Sequence, residues 1–145
     1  MVRVVIAGFL VLGLWGSMAL AQSDAPPRLS APAGAKSYII SPADGETVPS
    51  PVRVQFGLSG MGVAPAGVDW DDTGHHHLIV DADLPPLDSF IPSTDDNYRH
   101  FGGGQTETSI ELAPGEHTLQ LLLGDHTHLP HATPVYSEKI TIIVQ

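Results

Sequence analysis

The chain predicts an all-β domain, an antiparallel β-sandwich of six to eight strands, and three observations carry that expectation. Short apolar runs recur between clusters of turn-forming residues, the rhythm of strands and turns. "VRVQFGL" alternates cleanly, with Val52, Val54, Phe56 and Leu58 on one face and Arg53, Gln55 and Gly57 on the other, the period of a half-buried strand. No stretch carries a good helical stripe, and thirteen prolines and fifteen glycines interrupt the chain too often for long helices. A small barrel is the alternative way to close such a set of strands.

The elements follow in order. "SYII" (Ser37 to Ile40) is the first strand, and "SPADGETVPSP" is a turn-rich connection to "VRVQFGL". "HHHLIVDAD" (His75 to Asp83) is more apolar and reads as a central strand. "QTETSIEL" (Gln105 to Leu112) is a polar strand, and Pro114-Gly115 turns the chain into the strong strand of "EHTLQLLLGD". "VYSEKITIIV" closes the domain, with Ile140, Ile142 and Val144 on one face. Leu84 to Gly104 breaks the rhythm: it is proline-rich and ends in three glycines, yet holds Phe90, Ile91, Tyr98 and Phe101. Those aromatic and apolar residues predict a loop folded back over one end of the sandwich, with room for a single helical turn.

Ahead of these strands, Arg3, a short apolar run and the small residues Ala19 and Ala21 form the pattern of a cleavable signal peptide over 1–21. Residues 22–35, rich in Pro, Ala and Ser, read as a flexible linker, and 36–145 as the β-sandwich domain. The expected product is exported, periplasmic or secreted, with no stable membrane anchor. The chain has no cysteine, so its stability must come from packing, hydrogen bonds or a bound ion. Its formal charge is −10 and becomes −11 when Arg3 leaves with the signal. Such an acidic protein repels phosphate backbones, which argues against a nucleic-acid partner and for a cation.

Eight histidines are the chain's main chemical signal. Six of them fall in two clusters, "GHHH" (His75, His76, His77) and "GDHTHLPH" (His126, His128, His131). In a strand, His75 and His77 share one face and His76 points to the other. Residues two apart in a strand sit about 6.5 Å apart, close enough for both imidazoles to reach one ion at about 2 Å. His126 and His128 have the same spacing, and His131 follows Pro130. His100 lies in the long loop, and His117 alternates with Leu119 and Leu121, which reads as structural.

The candidate metal ligands are therefore His75, His76, His77, His100, His126, His128 and His131, with Met61 as a thioether that would favour copper. Imidazole donors without a thiolate suit copper or zinc. Asp71, Asp72 or Asp125 could accept from the far nitrogen of a ligand histidine. Asp69, Asp71 and Asp72 lack the spacing of a calcium loop, and solvated loop acids are the plainer reading.

"GHHHLIVDADLP", "YRHFGGGQTETSIELAPGEHTLQLLLGDHTHLPH" and "VYSEKITIIV" together resemble the bacterial exported family known as domain of unknown function 4399. "ISPADGETVPSPVRVQFGLSG" and "PGEHTLQLLLGD" are similar to strands of bacterial immunoglobulin-like modules. The resemblance covers roughly Lys36 to Val144 and implies an immunoglobulin-like β-sandwich and an exported location; it implies no activity.

Three functions stay open on the sequence: a periplasmic copper or zinc carrier, buffer or sensor that meets another periplasmic protein; an immunoglobulin-like module that binds protein or glycan with structural histidines; and a small metalloenzyme. The last is disfavoured by the lack of a nucleophile elbow, a cysteine or a phosphate-cradling loop.

Overall fold

The computed structural model describes residues 26–145; the expected signal peptide and the start of the expected linker lie outside the described residues. Nine strands and no helix make up the described residues: β1 (Lys36–Ser41), β2 (Thr47–Val48), β3 (Val52–Ser59), β4 (Gly62–Val63), β5 (Thr73–Val80), β6 (Tyr98–His100), β7 (Glu107–Ile110), β8 (Gly115–Gly124) and β9 (Ile140–Val144). The fold is all-β. The strand count exceeds six to eight because β2 and β4 are two-residue strands.

β1, β3 and β7 form a three-stranded antiparallel sheet in the order β1-β3-β7. The larger sheet runs β2-β9-β8-β5-β4, with β6 added on β5. Its central pairs, β5 with β8 and β8 with β9, are antiparallel, whereas β2 and β4 join in parallel. The two sheets pack face to face. Val52, Val54 and Phe56 of β3 and Ile110 of β7 meet Leu78 and Val80 of β5, Leu119 and Leu121 of β8, and Ile142 and Val144 of β9. Each is at most 3% exposed. Full burial of such a side chain contributes about 1.5–3 kcal/mol, so this interface is the main source of stability.

The larger sheet is buried on its other face as well. Ile79 and Leu122 pack there against Ile91, with Ala82, Leu84, Leu87 and Tyr98 around them. The long loop therefore covers the outer face of β5 and β8, and it contributes a strand, β6, where a helical turn was expected. Covering both faces explains why β5 reads as a continuous run and is buried along nearly its whole length. β5 stops at Val80 rather than Asp83 because Asp81 takes a left-handed conformation, φ 54°. The last strand starts at Ile140, and Tyr136 makes only an isolated bridge to Leu122. The end of the expected linker lies against the domain: Arg28 Nη1 donates to the Leu87 carbonyl at 2.8 Å, and the Ala132 N–H donates to the Leu29 carbonyl at 2.8 Å.

Candidate metal centre

The alternation of β5 divides the histidine triplet. His76 points between the sheets with Leu78 and Val80, its ring 5.3 Å from that of Phe56. His75 and His77 point to the outer face with Ile79, their ring centroids 4.8 Å apart. β6 pairs antiparallel with β5 and sets His100 directly opposite His77, with ring centroids 5.1 Å apart. On the other side of β5, β8 places Gly124 opposite His75. The chain then turns, and the turn delivers His128.

That turn is built around one carboxylate. Asp125 is 2% exposed, and its Oδ1 accepts from the Thr127 N–H at 2.7 Å, the Thr127 hydroxyl at 2.7 Å and the Leu129 N–H at 3.0 Å. The Asp125 carbonyl accepts from the His128 N–H at 3.0 Å. His128 is held between these bonds with φ at 74°, a conformation that a non-glycine residue adopts only when its surroundings over-determine it. Residues 126–128 were expected to keep the strand relation that would put His126 and His128 on one face; the turn separates them. The loop after β4 braces both rim segments, since Ala66 N–H donates to the Gly102 carbonyl at 2.8 Å and Gly67 N–H to the His126 carbonyl at 2.9 Å.

The outcome is a cluster of imidazoles. His75 lies 5.0 Å from His100 and 4.9 Å from His128, ring centre to ring centre, and His100 lies 4.7 Å from His128. His77 closes the group at 6.0 Å from His128. One nitrogen each from His75, His100 and His128 falls within 4.8 Å of the other two, so the triad could hold a metal ion. His100 Nε2 and His128 Nε2 are 3.1 Å apart. Two nitrogens bound tetrahedrally to one ion at about 2.05 Å stand about 3.3 Å apart, so this pair is already near ligand spacing.

Charge and hydrogen bonding agree with that geometry. Both ring nitrogens of His75 and of His77 are buried without a hydrogen-bond partner in the protein. Leaving a buried donor or acceptor unmade costs about 1–3 kcal/mol, and four such atoms on one small patch call for a ligand. Burial, then the charges of His128 and His100, lower the His75 pKa to about 4. Burial followed by the neighbouring imidazoles lowers His77 to about 2. His100 is also lowered, by burial and by His128. These rings stay neutral at neutral pH, and a neutral imidazole keeps one lone pair for a cation, which His100 and His128 can offer together once their mutual hydrogen bond gives way. His75 forms the buried floor, His128 is half-buried and His100 is exposed, so the group opens to solvent on one side.

The other sequence candidates lie elsewhere. His76 is on the opposite face, its pKa lowered to about 4 by burial. His126 is half-buried and turned away from the group, its Nδ1 3.4 Å from Oδ1 of the exposed Asp69. His131 is buried beside Asp71 and Asp72, lowered by burial against the opposing pull of Asp125. Met61 is half-buried between β3 and β4 and is not part of the group. His117 Nδ1 stands 2.7 Å from Asp81 Oδ2 and Nε2 2.9 Å from the Ala113 carbonyl, and the protonated ring donates to both, a structural tie. Asp125 acts through the turn backbone and not, as the sequence suggested, through an imidazole nitrogen. Among the described residues, no helix is long and apolar enough to cross a membrane.

A family model described as Domain of unknown function (DUF4399) matches residues 54–145, which takes in every histidine of the chain. The chain belongs to that family. No curated protein and no solved structure matches it.

Proposed function

We propose that this member of the DUF4399 family is an exported metal-binding protein that holds a copper or zinc ion through His75, His77, His100 and His128 and serves as a carrier, buffer or sensor. The observation that carries the reading is the convergence of four imidazoles from three separate segments, with every ring nitrogen of the two floor residues unpartnered. An all-imidazole donor set without thiolate, thioether or carboxylate suits copper(II) or zinc and gives hard cations such as calcium nothing to bind. The exposed and half-buried rim ligands, His100 and His128, favour an ion that enters and leaves over an immovable closed cage. Export rests on the leader pattern of Arg3, the apolar run and Ala19 to Ala21.

The test is elemental analysis of the untagged protein purified from the periplasm, followed by copper and zinc titration of the stripped form. About one ion per chain is expected, with binding lost in a His75→Ala/His128→Ala double variant and retained in His126→Ala. A stripped wild-type protein that takes up neither ion refutes the proposal.

A further inference from the structure

Resting on the metal reading, we propose that two glycines, Gly102 and Gly124, are positioning residues of the centre: each leaves the space that one ligand imidazole occupies. Gly102 is the first glycine of "HFGGG". A Cβ built on it would overlap Cε1 of His100 and stand 2.5 Å from His100 Nε2, the atom that faces His128. The backbone there has no freedom to retreat. Phe101 N–H donates to the His76 carbonyl at 3.0 Å, its ring packs edge-on to Phe56 at 4.9 Å, and the Gly102 carbonyl is taken by Ala66 N–H. Behind the built Cβ lies the Ala66 methyl at 3.3 Å. A methyl at position 102 therefore displaces the imidazole, which is exposed and free to swing into solvent. Gly102 does not sit in the left-handed region, so alanine adds bulk without backbone strain.

Gly124 plays the same part for the buried floor. It ends β8 opposite His75, and a Cβ there would stand 2.8 Å from His77 Cε1 and 3.3 Å from His77 Nδ1. Ile91 Cδ1 blocks the other side at 3.2 Å. Gly103 is a built-in contrast: the atoms nearest its Cβ would belong to the side chain of Gln105, at 3.0 Å or more, a side chain tied to the Gly103 N–H at 2.9 Å and to no histidine.

The experiment compares wild type, Gly102→Ala, Gly103→Ala and Gly124→Ala by chelator-competed zinc titration, cobalt(II) visible spectra and melting of the stripped proteins. Gly102→Ala is expected to lose about ten- to a hundredfold in zinc affinity and to change the cobalt spectrum, as displaced ligand supports do. Its stripped form should melt within about 2 °C of wild type, and Gly103→Ala should match wild type throughout. In a His100→Ala background, Gly102→Ala should cause no further loss of zinc affinity, because its effect passes through that ring. Gly124→Ala should likewise cause no further loss in a His77→Ala background. Wild-type binding with an unaffected Gly102→Ala variant, or an equal loss with and without His100, would overturn this inference alone. A wild-type protein that binds neither zinc nor cobalt would overturn the metal reading and this inference with it.

Discussion

Replacing His76 with leucine should stabilise the domain and leave metal binding unchanged, whereas the same replacement at His75 should stabilise the stripped protein and abolish binding. Both rings are fully buried, and neither has a hydrogen-bond partner in the protein for either nitrogen. A neutral imidazole carries one N–H donor and one lone-pair acceptor. Two unmade groups cost about 2–6 kcal/mol, at about 1–3 kcal/mol each. Leucine has a similar volume, and a volume-conserving core change costs less than about 1.5 kcal/mol. The difference leaves a gain of about 0.5 to 4.5 kcal/mol in each variant. At about 4 °C per kcal/mol for a domain of this size, the melting point should rise by at least about 2 °C. The two variants part company over the ion. His76 faces Phe56 across the core, whereas His75 touches His77, His100 and His128. Urea denaturation of chelator-stripped protein, followed by zinc and copper titration, measures both effects. A His76→Leu variant less stable than wild type would contradict this, since the ring nitrogens would then be supplying stability although neither has a partner in the protein.

Two further outcomes follow from the turn and from the far end of the sheet. Asp125→Ala removes three bonds to a buried carboxylate and should cost at least about 2 kcal/mol, while freeing His128 from its left-handed conformation and weakening zinc binding; Asp125→Asn, which keeps the accepting oxygen, should lose much less by the same denaturation and titration. His117 has acceptors at both ring nitrogens, and its hydrogen bond to Asp81 raises its pKa above the usual 6.5. A raised folded-state pKa gives stability that is fully present below 6.5 and lost as pH rises through the folded value. The stability gap between wild type and His117→Ala should therefore narrow from pH 6 toward pH 9, and a gap that widens would contradict the tie.

Much of the fold is legible in local pattern. The alternation of Val52, Val54 and Phe56, and of Ile142 and Val144, reports a strand with one face in a core, because successive side chains of extended backbone point in opposite directions. The same rule splits His75 and His77 from His76 without any tertiary information. The continuous burial of β5 is also visible, as an apolar run too rich for a half-exposed strand. The site itself is less legible. β6 is three residues inside a proline- and glycine-rich loop, too short for any period to reveal, and only its pairing with β5 puts His100 opposite His77. His126 and His128 look equivalent by spacing. A carboxylate that organises the turn sends one to the cluster and the other toward Asp69, and such a clamp is a matter of hydrogen-bond geometry rather than spacing.

An all-β domain with histidine as its main chemical signal can be read from the chain alone. Composition, alternation and turn residues are local properties, and local properties are enough to decide strand from helix and one strand face from the other. Which histidines meet is settled by packing. Convergence depends on strand order, register and the clearance left at Gly102 and Gly124, and these are long-range packing relations between segments far apart in the chain. A one-residue slip between β5 and β6 would move His100 to the opposite side of the sheet from His75 and His77 and leave the same sequence without its cluster.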